Sequence, residues 1–327
     1  MDIKNEIGAV VIGRNEGERL RTCLESLAQH LSHIVYVDSG STDGSVDRAT
    51  KIGVTAVPLN MSQPFTAARA RNAGFKALIA NYPALKYVQF IDGDCQLVSG
   101  WLETAANFLE QHAEYAVVCG RRRERFPEKS LYNRLCDIEW DTPTGEANAC
   151  GGDALIRVNA FVQVDGYRDD LIAGEEPELC VRLRGIGWRI WRLAEEMTLH
   201  DASITRFSQW WKRTQRSGYA FAEGAFLHGA FPERHWVKES RSAWLWAVFI
   251  PITAIVVAYF NGLAGLIILL IYPLQISRLA VLGKCLPKDN WPRAYFLVLG
   301  KFPELIGQLQ FLWNRLVGNR GKLIEYK

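Results

Sequence analysis

The first half of the chain alternates between short apolar runs and longer stretches of helical spacing. "IGAVVIG" (7–13), "HIVYVD" (33–38), "VTAVPL" (54–59), "YVQFIDGD" (87–94) and "YAVVCG" (115–120) are apolar along most of their length. That pattern suits strands covered on both faces. Between them lie "ERLRTCLESLAQHL", a short helix near 45–52, "FTAARARNAGFKALIANY" and "GWLETAANFLEQH", which read as helices. Such β-α-β alternation predicts a parallel sheet with helices on both faces. Ligands of these sheets lie beyond the carboxyl ends of the strands. Polar clusters stand at those ends here: Arg14-Asn15-Glu16, Asp38-Ser39-Gly40-Ser41 and Asp92-Gly93-Asp94.

A different pattern begins near Ala243. From there to Ile276 no Asp, Glu, Lys or Arg occurs, and Asn261-Gly262 splits the stretch into two apolar arms. Each arm is near the lower limit of about 17 residues for a spanning helix, and tryptophans cluster at the start. The stretch reads as a tight helical hairpin across a bilayer; a buried helix pair in a soluble domain is the alternative. Arg278, Lys284, Lys288 and Arg293 follow the hairpin, against Asp289 alone. By the positive-inside rule that loop, and residues 1–240 with it, lies on the cytoplasmic side of an inner or plasma membrane. "AYFLVLGKFPELIGQLQFLWNRL" carries Lys301, Glu304, Gln308 and Gln310. It is expected to form an interfacial or re-entrant helix, because a crossing would put Arg315, Arg320 and Lys322 outside.

Composition narrows the picture. With 49% hydrophobic and 22% charged residues the chain is an ordinary folded protein. A net charge of +3 is too small to argue for nucleic acid. The cysteines at 23, 95, 119, 136, 150, 180 and 285 form no CxxC pair, so neither a zinc site nor a disulfide framework is indicated. They read as reduced thiols in a reducing compartment. The opening "MDIKNEIGAV" lacks the basic start and long apolar run of a signal peptide.

Chemistry concentrates at the strand ends. Residues two apart on an extended chain point the same way, so Asp92 and Asp94 aim at one small volume if the strand persists to its end. Two anions held that close take up a proton or a cation. In "VDSGSTDGS" (37–45), Asp43-Gly44 is turn punctuation, with Ser45 or Asp43 capping the next helix. Asp38 ends an apolar strand and needs a partner, which a nucleobase N–H or ribose hydroxyls can supply.

The ordered series "VIGRNE", "VDSGSTDGS", "ARARNAG", "IDGD", "GGDALIRV" and "GEEPELCVRLRGIGW" resembles the family 2 glycosyltransferases of GT-A fold, over about residues 7–200. The apolar tail "GKFPELIGQLQFLWNRLVG" is similar to that of membrane-attached members. The resemblance implies an α/β, Rossmann-like, mostly parallel sheet flanked by helices, with a C-terminal membrane-associated helical region. The expected divisions are a catalytic domain (1–204), amphipathic interfacial helices (205–242), the transmembrane hairpin (243–276), and a basic loop, interfacial or re-entrant helix and basic tail (277–327).

On this resemblance Asp92 and Asp94 match the family's D-x-D, with Asp94 the firmer ligand of Mn²⁺ or Mg²⁺. Such cations prefer oxygen ligands and share them with substrate phosphates. His200 is implied as a nitrogen ligand or phosphate contact. Glu16, Asp38, Arg71 and Asp92 match positions on the nucleotide of a UDP-, GDP- or dTDP-linked sugar, with Arg69 a weaker neighbour of Arg71. The family has Glu-Asp at the base helix; here Glu175 matches the glutamate and Glu176 replaces the aspartate that serves as catalytic base. Glu175 stays an alternative base. With Pro177 and Glu178, both acids also complement the helix dipole. Gly151, Gly152 and Asp153 match the segment beneath the acceptor. "GRRRERF" (Arg121, Arg122, Arg123, Arg125) follows a strand and faces lipid headgroups or an acceptor phosphate, or is a solvated basic loop.

Processive members carry Q-x-x-R-W, where this chain has Gln209, Lys212 and Arg213. Transfer of a single sugar is therefore favoured, and Trp210 and Trp211 are expected at the membrane interface. The implied activity is inverting transfer to a hydroxyl on a glycan or lipid-linked acceptor of cell-envelope or exopolysaccharide synthesis, with membrane lipids as further partners. A nucleotidyltransferase or an inactive membrane scaffold are the competing classes. The first normally needs a phosphate-cradling glycine-rich loop, whereas "GRNEGERL" offers one glycine past the turn.

Overall fold

The structure, a computed structural model, describes residues 3–319, 321, 324 and 325. Arg320 and Lys322 of the basic tail lie outside the described residues. The chain forms two compact units, Met1–Thr205 and Arg206–Lys327.

The first unit runs α1 (Ile3–Glu6), β1 (Ile7–Gly13), α2 (Glu18–Ala28), β2 (His33–Asp38), α3 (Ser45–Lys51), β3 (Thr55–Pro58), α4 (Ala67–Asn81), β4 (Tyr87–Asp92), β5 (Cys95–Leu97), α5 (Trp101–Gln111), β6 (Tyr115–Glu124), α6 (Leu131–Glu139), β7 (Gly145–Ala147), β8 (Ala154–Arg157), α7 (Val158–Gln163), α8 (Glu175–Gly185) and β9 (Arg189–His200). One sheet takes the order β3-β2-β1-β4-β8-β6-β9-β5, with β7 beside β9. Val10, Val11, Val35, Val37, Phe90 and Ile91 are fully buried, as strands covered on both faces require.

The parallel expectation holds only for the first half. β3, β2, β1 and β4 are parallel. β8 then enters antiparallel to both β4 and β6. β9 is parallel to β6 but antiparallel to β5 and β7. The sheet is thus mixed, an α/β sheet of GT-A type flanked by helices. The strands that change its sense, β5, β7 and β8, are three or four residues long, too short to carry a readable period.

Register brings the polar ends together. Gly13 pairs with Asp38 across β1 and β2, and Ile12 pairs with Asp92 across β1 and β4. Asp38 and Asp92 therefore flank the tip of β1, about 10 Å apart at two strand spacings. β8 begins at Ala154 opposite Phe90, which sets Gly152 and Asp153 beside the tip of β4.

The second unit comprises α9 (Phe207–His228), α10 (Val237–Trp244), a π-helical turn (Leu245–Phe249), α11 (Ile250–Asn261), α12 (Ala264–Leu269), α13 (Ile271–Val281), α14 (Pro287–Leu299) and α15 (Lys301–Leu316). Two continuous helices are long and apolar enough to cross a membrane: Val237–Asn261 and Ala264–Val281. Both extend beyond the uncharged stretch, the first starting before Ala243 and the second ending after Ile276. The π turn sits just ahead of Pro251, whose ring cannot complete a regular α-helical ladder.

The polar residues of the last segment face inward. Gln308, 1% exposed, accepts hydrogen bonds from Ser240 Oγ at 2.8 Å and Trp244 Nε1 at 3.0 Å. Gln215 Nε2 donates to Gln310 Oε1 at 3.1 Å, and Lys301 pairs with Glu304 at 2.7 Å. Trp210 is buried edge-on against Phe296 at 4.7 Å, so its expected place at a membrane interface is corrected to the packed interior of this unit. Gln209 accepts the Arg206 N–H at 3.0 Å and closes the first turn of α9.

α9 and α15 touch backbone to backbone where glycines meet. A Cβ on Gly307 would overlap the Gln215 carbonyl and lie 2.6 Å from Tyr219 N. Gly307→Ala is expected to lower stability by about 1–3 kcal/mol, as overpacking does. Gly185→Ala, where a Cβ meets nothing within 4 Å, should be neutral or slightly stabilising. Thermal unfolding of the two variants in detergent checks the contrast.

Candidate active site

Arg71 is the hub of the strand-end cluster. It lies in the interior of α4, whose N-cap Thr66 accepts the Arg69 N–H at 3.1 Å. Instead of lying on the helix surface, its side chain is 2% exposed. Nη1 donates to Glu175 Oε1 at 2.7 Å and lies 2.9 Å from Glu176 Oε1. Nη2 donates to Asp92 Oδ1 at 2.8 Å and to the Gly152 carbonyl at 3.5 Å. One guanidinium thus joins α4, the tip of β4, the loop before β8 and the start of α8.

Arg122 completes the network, and the sequence reading missed it. β6 runs on to Glu124, so "GRRRE" is strand, which removes the solvated-loop alternative. Arg122 Nη2 donates to Asp92 Oδ2 at 3.2 Å and to Cys95 Sγ at 3.4 Å. Its Nε lies 3.7 Å from Asp153 Oδ2, and its guanidinium stands 5.1 Å over the Trp140 ring. Arg121 pairs with Asp137, Arg123 with Glu196 and Arg125 with Gln96. The available signal was the period of two, which sets Arg122 and Glu124 on one face of an extended strand.

Gly152 occupies the point where these groups converge. A Cβ there would lie 2.6 Å from Arg122 Nη1, 3.2 Å from Asp92 Oδ2 and 3.5 Å from Glu176 Oε1. Asp153 is fully buried: it accepts the Asp92 N–H at 3.1 Å and the Thr198 hydroxyl at 2.7 Å. Its expected contact with an acceptor is therefore corrected to support of the β4 tip.

β4 ends at Asp92, and Gly93-Asp94 form a turn before β5, so the extended geometry does not persist to Asp94, yet the two acids stay close enough for the Asp94 charge to oppose ionisation of Asp92. Burial works against ionisation of Asp92, but the Arg71 and Arg122 guanidiniums outweigh it and hold that carboxyl below its usual range. Asp94 instead faces His200, with Oδ2 3.3 Å from Nε2. The β5–β9 pairing causes this, since Cys95 lies opposite His200. On the other side of the ring, His200 Nδ1 lies 3.7 Å from Glu124 Oε2. Glu124 is itself fixed by the N–H groups of Phe126 and Ala202 and by Asn133.

These residues fit a divalent cation. Ligand atoms of Asp94, Cys95 and His200 all lie within 4.8 Å of one another. A carboxylate oxygen and an imidazole nitrogen suit Mn²⁺ or Mg²⁺ with phosphate oxygens as further ligands. Burial pushes the Cys95 thiol well above its ordinary pKa, which keeps it protonated and a poor ligand.

Glu176 differs from its neighbour. Glu175 is buried on Arg71, whereas Glu176 retains 12% side-chain exposure. Burial, then the adjacent Glu175 charge, raises the Glu176 pKa to about 7, with Arg71 pulling the other way. Glu178 does more than complement the helix dipole: it pairs with Arg182 at 2.8 Å, and Arg182 reaches the Val164 and Gly166 carbonyls.

At the far side of β1 the acids are held by the chain itself. Asp38 accepts the Tyr36 hydroxyl at 2.9 Å and the Gly40 and Ser41 N–H groups at 3.0 and 2.9 Å. Asp38 thus finds within the fold the partner that the sequence reading sought in a nucleotide. Glu16 pairs with Arg19 at 2.8 Å. Asn15 and Asp43 lace the two loops together, accepting the Thr42 N–H at 2.7 Å and the Gly17 N–H at 2.9 Å. Asp43 also accepts the Ser45 N–H at 3.1 Å, consistent with turn punctuation.

Comparison with known proteins agrees with the fold. Residues 9–161 match the family model described as Glycosyl transferase family 2. The family 2 match ends ahead of Glu175, Glu176 and His200, whose place in the site rests on the contacts above. No curated protein matches the chain. Among solved structures, the mannosyltransferase PcManGT from Pyrobaculum calidifontis, in complex with GDP-Man and Mn²⁺, is similar at TM-score 0.65 and 16% identity, covering 95% of this chain and 88% of that one. S. aureus TarS 1-349 is similar at TM-score 0.50 and 14% identity, covering 96% and 92%. At such identities the likeness is one of fold.

Arg71→Met should leave Glu175 buried, and Asp92 and Glu176 half-buried, without their shared cation, at a cost of about 3–5 kcal/mol. In the variant Glu176 loses the cation that opposes its rise, so its folded-state pKa moves further above the unfolded one. Stability is then greatest in acid and falls as pH rises through the raised value. Denaturant unfolding at pH 5 and pH 8 should show the deficit larger at pH 8.

Proposed function

We propose that the chain is a metal-dependent, inverting glycosyltransferase that moves one sugar from a nucleotide-sugar donor to a hydroxyl acceptor. One observation carries this reading: the Asp94–His200 pair, fit for a cation, sits in the same strand-end cluster as Glu176, a carboxyl with a pKa of about 7. The family 2 match over residues 9–161 supports it, as does a similar fold solved with GDP-Man and Mn²⁺.

Asp94 and His200 would hold a Mn²⁺ or Mg²⁺ ion, which when bound would supply charge to offset that of the leaving diphosphate. Glu16 and Asp38 border the nucleoside of the UDP-, GDP- or dTDP-linked donor, and Asp38 keeps the 40–41 loop in shape for it. Glu176 takes the proton of the acceptor hydroxyl as that oxygen bonds to the anomeric carbon. The bond from that carbon to the diphosphate breaks, and its electron pair leaves with the nucleoside diphosphate. A single displacement of this kind inverts the anomeric configuration. Arg71 sets the position of Glu176, binds Glu175 and, with Arg122, holds the Asp92 carboxyl below its usual range.

Membrane attachment is part of the proposal. The two long apolar helices have mean hydropathies of 2.1 and 1.8, yet only 17% and 11% of their most apolar windows are buried inside the molecule. Ile255, Tyr259 and Leu274 are 68%, 84% and 68% exposed, unlike residues of a soluble core helix. A lipid-linked glycan is the acceptor this attachment favours, with the first unit on the cytoplasmic side.

Glu176→Gln should cut turnover by about 10²–10⁴-fold while leaving donor binding intact. In the parent protein the rate should climb as pH rises through about 7, as Glu176 loses its proton, and that limb should vanish in the variant. Full activity in Glu176→Gln would move the base to Glu175. Asp94→Ala and His200→Ala should each weaken Mn²⁺-dependent binding of GDP or UDP, measured by calorimetry. Pyrophosphate release from a nucleoside triphosphate and a sugar phosphate would favour a nucleotidyltransferase instead.

A further inference from the structure

The second unit holds a cavity, largely apolar in its wall and bordered by three basic residues, that the proposed chemistry does not use. It has a volume of about 650 Å³ and is lined by Arg234, Val237, Lys238, Arg241, Ser242 and Leu245. Lys238, Arg241 and Leu245 recur at helical spacing, so they share one face of the helix that continues to Asn261. Arg234 stands just before its start. All three cations are exposed. Among the described residues none has an acidic partner, and Glu233 and Glu239 are not in the lining. The charge is confined to one end. Beyond Arg241 the same helix exposes Leu245, Phe249 and Ile252, at 48%, 60% and 53%.

We propose that this cavity binds a membrane lipid through an anionic phosphate or diphosphate headgroup. The assignment rests on the reading that Val237–Asn261 enters a bilayer. Three unpaired cations around one cavity match the charge of a phosphate dianion or diphosphate, and charge-assisted hydrogen bonds from Arg and Lys are the strong kind. Val237 and Leu245 give the site an apolar wall, which a free phosphate does not need. The exposed strip from Leu245 to Ile252 offers the lipid's hydrocarbon chain a continuous track. Long basic side chains at the end of an apolar helix reach toward the headgroup layer, where they are attracted to anionic lipid.

The test uses the full chain in a neutral detergent, with thermal unfolding as readout and dioleoyl phosphatidic acid, dioleoyl phosphatidylcholine or inorganic phosphate as additive. Phosphatidic acid should raise the unfolding midpoint, and the other two should not. The triple variant Arg234→Gln/Lys238→Gln/Arg241→Gln should bind phosphatidic acid at least about tenfold more weakly. Lys284→Gln/Lys288→Gln, which removes basic residues outside the cavity, should stay within about twofold of the parent. Equal losses in both variants, a matching response to inorganic phosphate, or no response to phosphatidic acid would each overturn the site. Stabilisation of the triple variant by GDP or UDP with Mn²⁺, if seen in the parent, shows that it is folded. If the triple variant does not fold, Arg241→Gln alone should still show about threefold weaker binding, and unchanged binding there would overturn the site. A parent that answers phosphatidic acid but no nucleoside diphosphate would leave this site standing and remove the glycosyltransferase reading. Failure of the chain to associate with phosphatidylcholine vesicles would remove the bilayer reading on which the site rests.

Discussion

A single buried guanidinium holds the catalytic end of the sheet together. Arg71 touches Asp92, Glu175 and Glu176 at 2.7–2.9 Å from a position 2% exposed. Three carboxylates cannot sit that close in a poorly hydrated site without a shared cation. Arginine suits the task better than lysine, because its planar fork serves the two glutamates through one nitrogen and Asp92 with the Gly152 carbonyl through the other. The constraint spreads outward. It requires the α8 start to face α4, and a Cβ at Gly152 would crowd Arg122 and Asp92.

This network divides the acids by role. Asp92 is held by two guanidiniums, which keep its carboxyl below the usual range, and Asp94, facing His200, is the carboxylate proposed for a cation. Glu175 is spent on Arg71. Glu176 shares that arginine but keeps partial exposure and a pKa near neutrality. On the proposed reading, the cation pair and the proton acceptor stand in one cluster, with Arg71 and Arg122 both bound to Asp92 within it. A reaction with an anionic leaving group and a proton to remove uses both.

Much of this was legible in the chain. Uniformly apolar runs located β1, β2 and β4, and the rule that ligands gather at strand ends picked out Asp38, Asp92 and Asp94. What escaped depended on pairing between distant segments. β8, at Ala154–Arg157, is too short to show a period, so the antiparallel insertion that makes the sheet mixed was invisible. Arg122 looked like a solvated charge because its partners are Asp92 on β4 and Cys95 on β5. Asp153 looked available because nothing nearby in sequence announces Thr198. Trp210 read as an interface aromatic until Phe296, far along the chain, covered it. The turn at Gly93-Asp94 is the subtlest case: the strand stops two residues before Asp94, and it is the β5–β9 pairing that sets His200 beside that aspartate.

The most direct measurement is a crystal structure with Mn²⁺ and GDP or UDP, with data collected at the manganese absorption edge. The account predicts an anomalous peak bound by Asp94 and His200 and touching the diphosphate, with Arg71 and Arg122 still on Asp92. A peak on Asp92 with either arginine displaced, or a nucleotide and metal bound away from the tips of β1 and β4, would contradict it.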